Sequence, residues 1–154
     1  MMELSTSRDV SAPADAVWSV LTDLEGAADR ISGILEIEIL EGGGDFGIGT
    51  KWRETRKMFG REATEVMEVT ELEPGKSYTT EANSHGAHYR SKMSVEPVGA
   101  GSRVTMTFAG EPHGTIAKVM AATVGKLFEG ATRKAIQQDL ADIAAAAEAS
   151  STQT

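Results

Sequence analysis

The sequence predicts an α+β fold of one strand, a helix pair, six sequential strands and a long terminal helix. Three observations predict it. First, apolar residues between Thr115 and about Glu148 recur at Ile116, Val119, Met120, Val124, Leu127, Phe128, Ala131, Ile136, Leu140, Ile143 and Ala144. This is the i, i+3, i+4, i+7 rhythm of a helix with one buried face, about 50 Å long if continuous. Second, most of the chain before it alternates with period two. Third, the strands are separated by short turns, which imply an antiparallel meander. One apolar face of such a sheet must be covered, and the long helix is the large element left to cover it.

The elements follow in order. Glu3 to Ser11 alternates loosely and reads as a first strand. Ala12-Pro13 opens a helix, with proline suited to the first turn and Asp15 favourable near the N-terminus. Ala16, Val17, Val20, Leu21 and Leu24 give it a buried face, flanked by Trp18. Glu25 to Ile31 reads as a second short helix. In Leu35-Glu36-Ile37-Glu38-Ile39 the apolar residues are expected on one face and the glutamates on the other. Glu41 to Gly49 is a glycine-rich connection without the Walker spacing or its Lys-Ser/Thr, so a hairpin turn is expected rather than a phosphate cradle.

Thr50–Met58 and Arg61–Leu72 are strands joined at Phe59-Gly60. A two-residue turn fixes their register. Met58 faces Arg61, Arg56 faces Ala63, Glu54 faces Glu65 and Trp52 faces Met67. On the other face Thr55 meets Thr64 and Lys51 meets Glu68, polar pairs that suit solvent. The Trp52/Met67 face is therefore assigned to the interior. Glu73-Pro74-Gly75 turns into a strand over Lys76–Ser84. Ser84-His85-Gly86 turns into His88–Glu96, and Pro97–Ser102 turns into Arg103–Ala109. A single domain over residues 1–149 is expected, with 150–154 as a disordered tail.

Bulk properties narrow the function. The chain has 154 residues, no cysteine and a net charge of −8. Thiolate metal sites and disulfides are excluded. Global acidity without a basic block disfavours nucleic acid and anionic membranes. No apolar run resembles a signal peptide or a bilayer span, so a cytoplasmic protein without membrane insertion is expected.

Several segments stand out together: Val10-Ser11-Ala12-Pro13-Ala14-Asp15-Ala16-Val17-Trp18, with Ser19 to Asp23 after it; Gly47-Ile48-Gly49-Thr50-Lys51-Trp52; Glu71-Leu72-Glu73-Pro74-Gly75-Lys76; Gly101-Ser102-Arg103-Val104-Thr105; and Gln138-Asp139-Leu140-Ala141-Asp142-Ile143. Together they resemble the START-like, helix-grip (SRPBCC) superfamily, and within it the bacterial polyketide cyclase/dehydrase and lipid-transport group. The resemblance covers about residues 3–148. It implies a curved seven-stranded antiparallel sheet gripping the C-terminal helix, with an elongated cavity between them. It also implies a lipid, sterol, aromatic or polyketide ligand. Glu41 to Phe46 lacks the Asp-x-Arg-x-Gly-Gly-like pattern of the heat-shock ATPase activators, which argues against that subgroup.

On these strand parities the cavity lining includes Trp52, Met67, Tyr78, Tyr89, Met93, Met106 and Phe108. The helix adds Met120, Val124, Leu127 and Phe128. Methionine adapts to irregular shapes and suits a permissive pocket. Glu54, Arg56 and Glu65 have the same inward parity, and an uncompensated buried charge costs several kcal/mol. Arg56 therefore either pairs with Glu54 or Glu65, or sits at a mouth open to water. His85, His88 and His113 do not make the three or four converging ligands a metal needs, and no metal or cofactor is assigned. Gly125 and Gly130 lie inside the helix, and either make room or mark a kink.

Two functions follow. One is a carrier or sensor binding a small hydrophobic or aromatic molecule, with a homodimer left open. The other is a cyclase/dehydratase, with Arg56 stabilising an enolate, Glu54 or Glu65 as base and Tyr89 or Tyr78 as acid. Binding is favoured, because no catalytic constellation is complete.

Overall fold

The computed structural model describes residues 2–42, 44–58, 60–84 and 86–151, the side chains of Met58, Ala121 and Val124 excepted. The sequence alternation resolves into strands β1 (Met2–Val10), β2 (Ile34–Glu41), β3 (Lys51–Met58), β4 (Arg61–Glu73), β5 (Ser77–Ser84), β6 (Ala87–Val98) and β7 (Gly101–Pro112). Helices α1 (Ala14–Thr22) and α2 (Ala27–Arg30) separate β1 from β2, and α3 (Thr115–Ser151) ends the chain. The strands form one open, curved antiparallel sheet in the order β1-β7-β6-β5-β4-β3-β2. The meander is therefore extended at one edge by β1, which returns to pair with the last strand.

The β3–β4 hairpin has the register that its turn length dictates. Trp52 pairs with Met67, Glu54 with Glu65, Arg56 with Ala63 and Lys51 with Glu68. Trp52 is buried, while Lys51 and Glu68 form an ion pair on the outer face. Thr55 and Thr64 share a hydrogen bond of 3.0 Å there. The Phe59 half of the turn and His85 lie outside the described residues.

Packing explains where the core sits. Leu4, Val10, Met93, Val95 and Val104 point from the sheet toward Val17, Val20 and Leu21 of α1 and Ile136, Leu140 and Ile143 of α3. Ser102 donates a 2.8 Å hydrogen bond to the Ala12 carbonyl, tying the β1–α1 corner to β7. Gly101 allows the same corner to close: a Cβ there would overlap the Val10 carbonyl oxygen.

Three expectations change. Leu35 is 47% exposed, because a register shift between Ile34 and Glu36 turns it outward and buries Ile34 instead. The second helix is shorter than expected, a single turn whose last residue, Arg30, pairs back to Asp23 at 2.7 Å. Helix α3 continues through Ser151, so residues 150 and 151 are helical rather than tail; 152–154 lie outside the described residues.

The largest difference concerns α3. Its second half packs as expected, with Thr132, Ile136, Leu140, Ile143 and Ala147 buried. In its first half Ile116 is 82% exposed, Val119 58%, Met120 56% and Leu127 75%. Leu127 therefore faces solvent rather than the cavity. The step from Leu127 to Thr132 is five residues, about 140° beyond a full turn at 3.6 residues per turn. The apolar rhythm thus passes from one side of the helix to the other. No helix among the described residues is long and apolar enough to cross a membrane.

Candidate functional site

The inner surface holds two separate features. The first is a cleft of about 1120 Å³ between the β6–β7 end of the sheet and the first half of α3. Met2, Tyr89, Gly110, Ile116, Met120, Gly125 and Phe128 line it, with Glu111, His113, Lys118, Lys126 and Glu129 among its polar neighbours. Strand pairing sets Tyr89 opposite Gly110. The absence of a side chain at Gly110 lets the Tyr89 ring lie against the strand, since a Cβ would stand 3.1 Å from two ring carbons. Tyr89 then stacks on Phe108 at a centroid distance of 5.6 Å. Burial, and after it the Glu65 charge, raises the Tyr89 phenol above its ordinary pKa. On the opposite wall a Cβ at Gly125 would meet nothing within 4 Å. Gly125 therefore opens space into the cleft rather than permitting contact with the sheet, and α3 runs through it unbroken.

The second feature is an ionic trio in which Asp139 is buried and Glu54 and Arg56 are partly buried. Arg56 reaches Asp139 of α3 through two hydrogen bonds, Nη1 to Oδ1 at 3.3 Å and Nη2 to Oδ2 at 3.0 Å. Its Nε donates to Glu54 at 3.0 Å, and Glu54 also accepts a 3.3 Å bond from the Trp52 indole. The fork of the guanidinium suits this two-sided arrangement. Burial lowers the pKa of Arg56, but the two carboxylates outweigh that and hold it above its ordinary value. Two carboxylates share this one cation, and Asp142 lies nearby. Burial pushes the Asp139 carboxyl up, Arg56 opposes this, and Glu54 and Asp142 add to the rise. Asp142 itself accepts two hydrogen bonds from Ser32, at 2.9 Å from its amide and 2.8 Å from its hydroxyl, and fixes the loop before β2 to the helix.

Four aromatic residues form a wall beside the trio. Tyr78 lies 4.9 Å from Phe46 and 6.1 Å from Trp18, and Phe46 lies 6.5 Å from Trp52, all between ring centroids. Tyr78 donates to the Leu21 carbonyl at 3.4 Å. Burial, then the charges of Glu54 and Asp139, raises its phenol far above the ordinary value.

The residues expected at the site are therefore distributed. Glu54 and Arg56 meet, and Trp52 joins them. Tyr89, Met120 and Phe128 line the cleft. Met93 is buried in the core, with Tyr78, Met106 and Phe108 packed against it. Glu65 and Met67 are half-buried on β4 opposite Glu54 and Trp52, and the Val124 side chain lies outside the described ones. It is Tyr78, not Tyr89, that feels the Glu54 and Asp139 charges. Asp139 is ten residues beyond Glu129, about 15 Å of helix rise, which separates the trio from the cleft. Two contributors lie outside the expected set. Asp139 sits on a helix 83 residues from its partner, and Phe46 belongs to a glycine-rich connection whose composition signals only a turn. Among the described residues no group of His, Asp and Glu is placed to hold a metal ion.

Comparison with known proteins places this geometry. No curated protein matches the sequence. Among solved structures, the protein TTHA0849 from Thermus thermophilus is similar, at 20% identity and a TM-score of 0.82 over 97% of this chain and 99% of that one. The Zhui aromatase/cyclase from Streptomyces sp. R1128 is similar at 21% identity and a TM-score of 0.75, covering 96% and 93%. A START superfamily protein from Mycobacterium smegmatis is similar at 16% identity and a TM-score of 0.71, covering 98% and 97%. These likenesses show the shared helix-grip fold. The family model described as polyketide cyclase / dehydrase and lipid transport matches residues 1–148, and the chain belongs to that family.

Proposed function

We propose that this protein binds a small hydrophobic or aromatic molecule in the cleft between its sheet and the first half of α3, as a carrier or sensor. The observation that carries the reading is the cleft itself. At about 1120 Å³ it is somewhat larger than the ~300–1,000 Å³ typical of ligand sites. Tyr89, Met120 and Phe128 offer it aromatic and adaptable surface, and the space beside Gly125 is open. The test is a thermal-shift and calorimetric screen of aromatic and lipid ligands on the wild type and on Gly125→Trp. The variant places an indole where a Cβ meets nothing. A ligand that stabilises the wild type and loses at least tenfold in affinity for a folded Gly125→Trp supports the reading. Equal affinity for both proteins, or no hit from the panel, contradicts it.

The second reading is a cyclase/dehydratase, and one observation favours it. Asp139 is a carboxyl whose pKa burial raises beside a partly buried arginine, the kind of perturbation proton-transfer sites use. Against it, the Arg56 guanidinium already donates to two carboxylates, which leaves it poorly placed to stabilise an enolate oxygen. Wild-type turnover of a polyketide-like substrate that Arg56→Ala abolishes, with the fold intact, would reverse this preference.

A further inference from the structure

The outward face of the first half of α3 enters the cleft reading only at its rim, through Ile116 and Met120. Ile116, Val119, Met120, Thr123 and Leu127 fall at i, i+3, i+4, i+7 and i+11, which is one helix face. Its four large apolar members are each more than half exposed. Charge on this segment runs opposite to the rest of the chain. Residues 115–134 contain Lys118, Lys126, Arg133 and Lys134 against Glu129, a net +3. The remainder carries eleven Lys and Arg against twenty-two Asp and Glu, a net −11. All four cations are exposed, and among the described residues none of them joins an ion pair. Lys126 borders the stripe, and Lys134, seven residues beyond Leu127, continues it.

We propose that this face docks on the surface of an anionic lipid bilayer, lying in the interface without crossing it. An exposed apolar stripe flanked by lysine and arginine is the pattern of a helix held at a membrane surface. Each such cation near an anionic leaflet contributes roughly fivefold to partitioning, so a net +3 amounts to on the order of a hundredfold. A second copy of the chain fits less well. Self-pairing would set +3 against +3, and four side chains fall short of the about 20–30 residues a side in a standard interface. The global charge of −8 disfavours membranes only as an average, because beyond a Debye length of about 10 Å at 0.1 M salt the acidic remainder is screened. Ile116 and Met120 also line the cleft, so the docked face is the rim of the cleft. Docking needs only the helix. That the bilayer is the source or destination of the ligand rests on the cleft reading.

The test is co-sedimentation of the full chain with vesicles of phosphatidylcholine alone and of phosphatidylcholine containing about a third phosphatidylglycerol, with no ligand added. The expected result is at least tenfold stronger partitioning to the anionic vesicles, lost on raising the salt to 1 M. Leu127→Glu and Lys126→Glu/Lys134→Glu are each expected to weaken it about tenfold or more with unchanged circular dichroism. Equal partitioning to both vesicles, no partitioning, or unchanged partitioning of folded Leu127→Glu would overturn the proposal. So would a wild-type dimer that Leu127→Glu converts to monomer, since the stripe would then be a self-association face. Loss of ligand binding in Gly125→Trp with vesicle binding intact separates the two readings.

Discussion

Replacing Asp139 by alanine removes the partner that reaches Arg56 from the helix side. The Arg56 and Asp139 side chains are 19% and 12% exposed, so the pair is largely withdrawn from water. Breaking a buried pair by deleting one member costs about 3–5 kcal/mol, because the other charge stays buried. Here Arg56 keeps its 3.0 Å bond to Glu54 and some solvent access, which reduces the expected loss to about 2–3 kcal/mol. For a domain of this size that is a fall of roughly 5–10 °C in Tm. The assay is urea unfolding of the wild type, Asp139→Ala, Arg56→Ala and the double variant. The double-mutant cycle should return a coupling of about 1–3 kcal/mol, with the double variant less destabilised than the two single losses added together. A loss below about 0.5 kcal/mol in Asp139→Ala, or additive single losses, would refute the buried pair.

Three further outcomes are expected. Gly125→Ala and Gly130→Ala, whose added Cβ atoms meet nothing, should each stabilise the protein by up to about 1 kcal/mol in chemical denaturation through helix propensity; a loss would mean a hidden packing role. Gly101→Ala should destabilise by about 1–3 kcal/mol, because backbone of β1 must shift to admit the Cβ, and an unchanged midpoint would contradict the corner described above. The Asp139 carboxyl, followed by carbon-detected NMR, should titrate above its ordinary value of 3.8. The sign follows from the raised folded pKa. This group's contribution is greatest below 3.8 and declines as pH rises through the folded value, and Asp139→Asn should lack that decline; a midpoint at or below 3.8 would contradict it.

Legibility in the sequence tracks the range of the forces involved. The β3–β4 register is readable because a two-residue turn fixes the pairing and alternation then assigns each face, including Glu54 and Arg56. Leu35 misleads because one irregular residue in β2 flips the faces, and alternation alone does not signal it. The long helix is readable as an element, but not where its apolar stripe changes sides. Ile116 to Leu127 and Thr132 to Ala147 each keep helical spacing, and the phase change lies in the few residues between them. Asp139 stands in a recognisable terminal motif, yet its role depends on Arg56 far away in the chain and on their burial together. Phe46 reaches Tyr78 and Trp52 only through tertiary folding of its loop.

The central claim is that an apolar ligand occupies the space between Tyr89 and the Gly125 side of α3. Methyl NMR of methionine-labelled protein, titrated with a ligand from the screen, tests it most directly. The Met2 and Met120 methyls line the cleft and should shift in a saturable way, with Gly125→Trp abolishing the response. Saturable binding that leaves both methyls unmoved, or that persists unchanged in Gly125→Trp, would contradict the account.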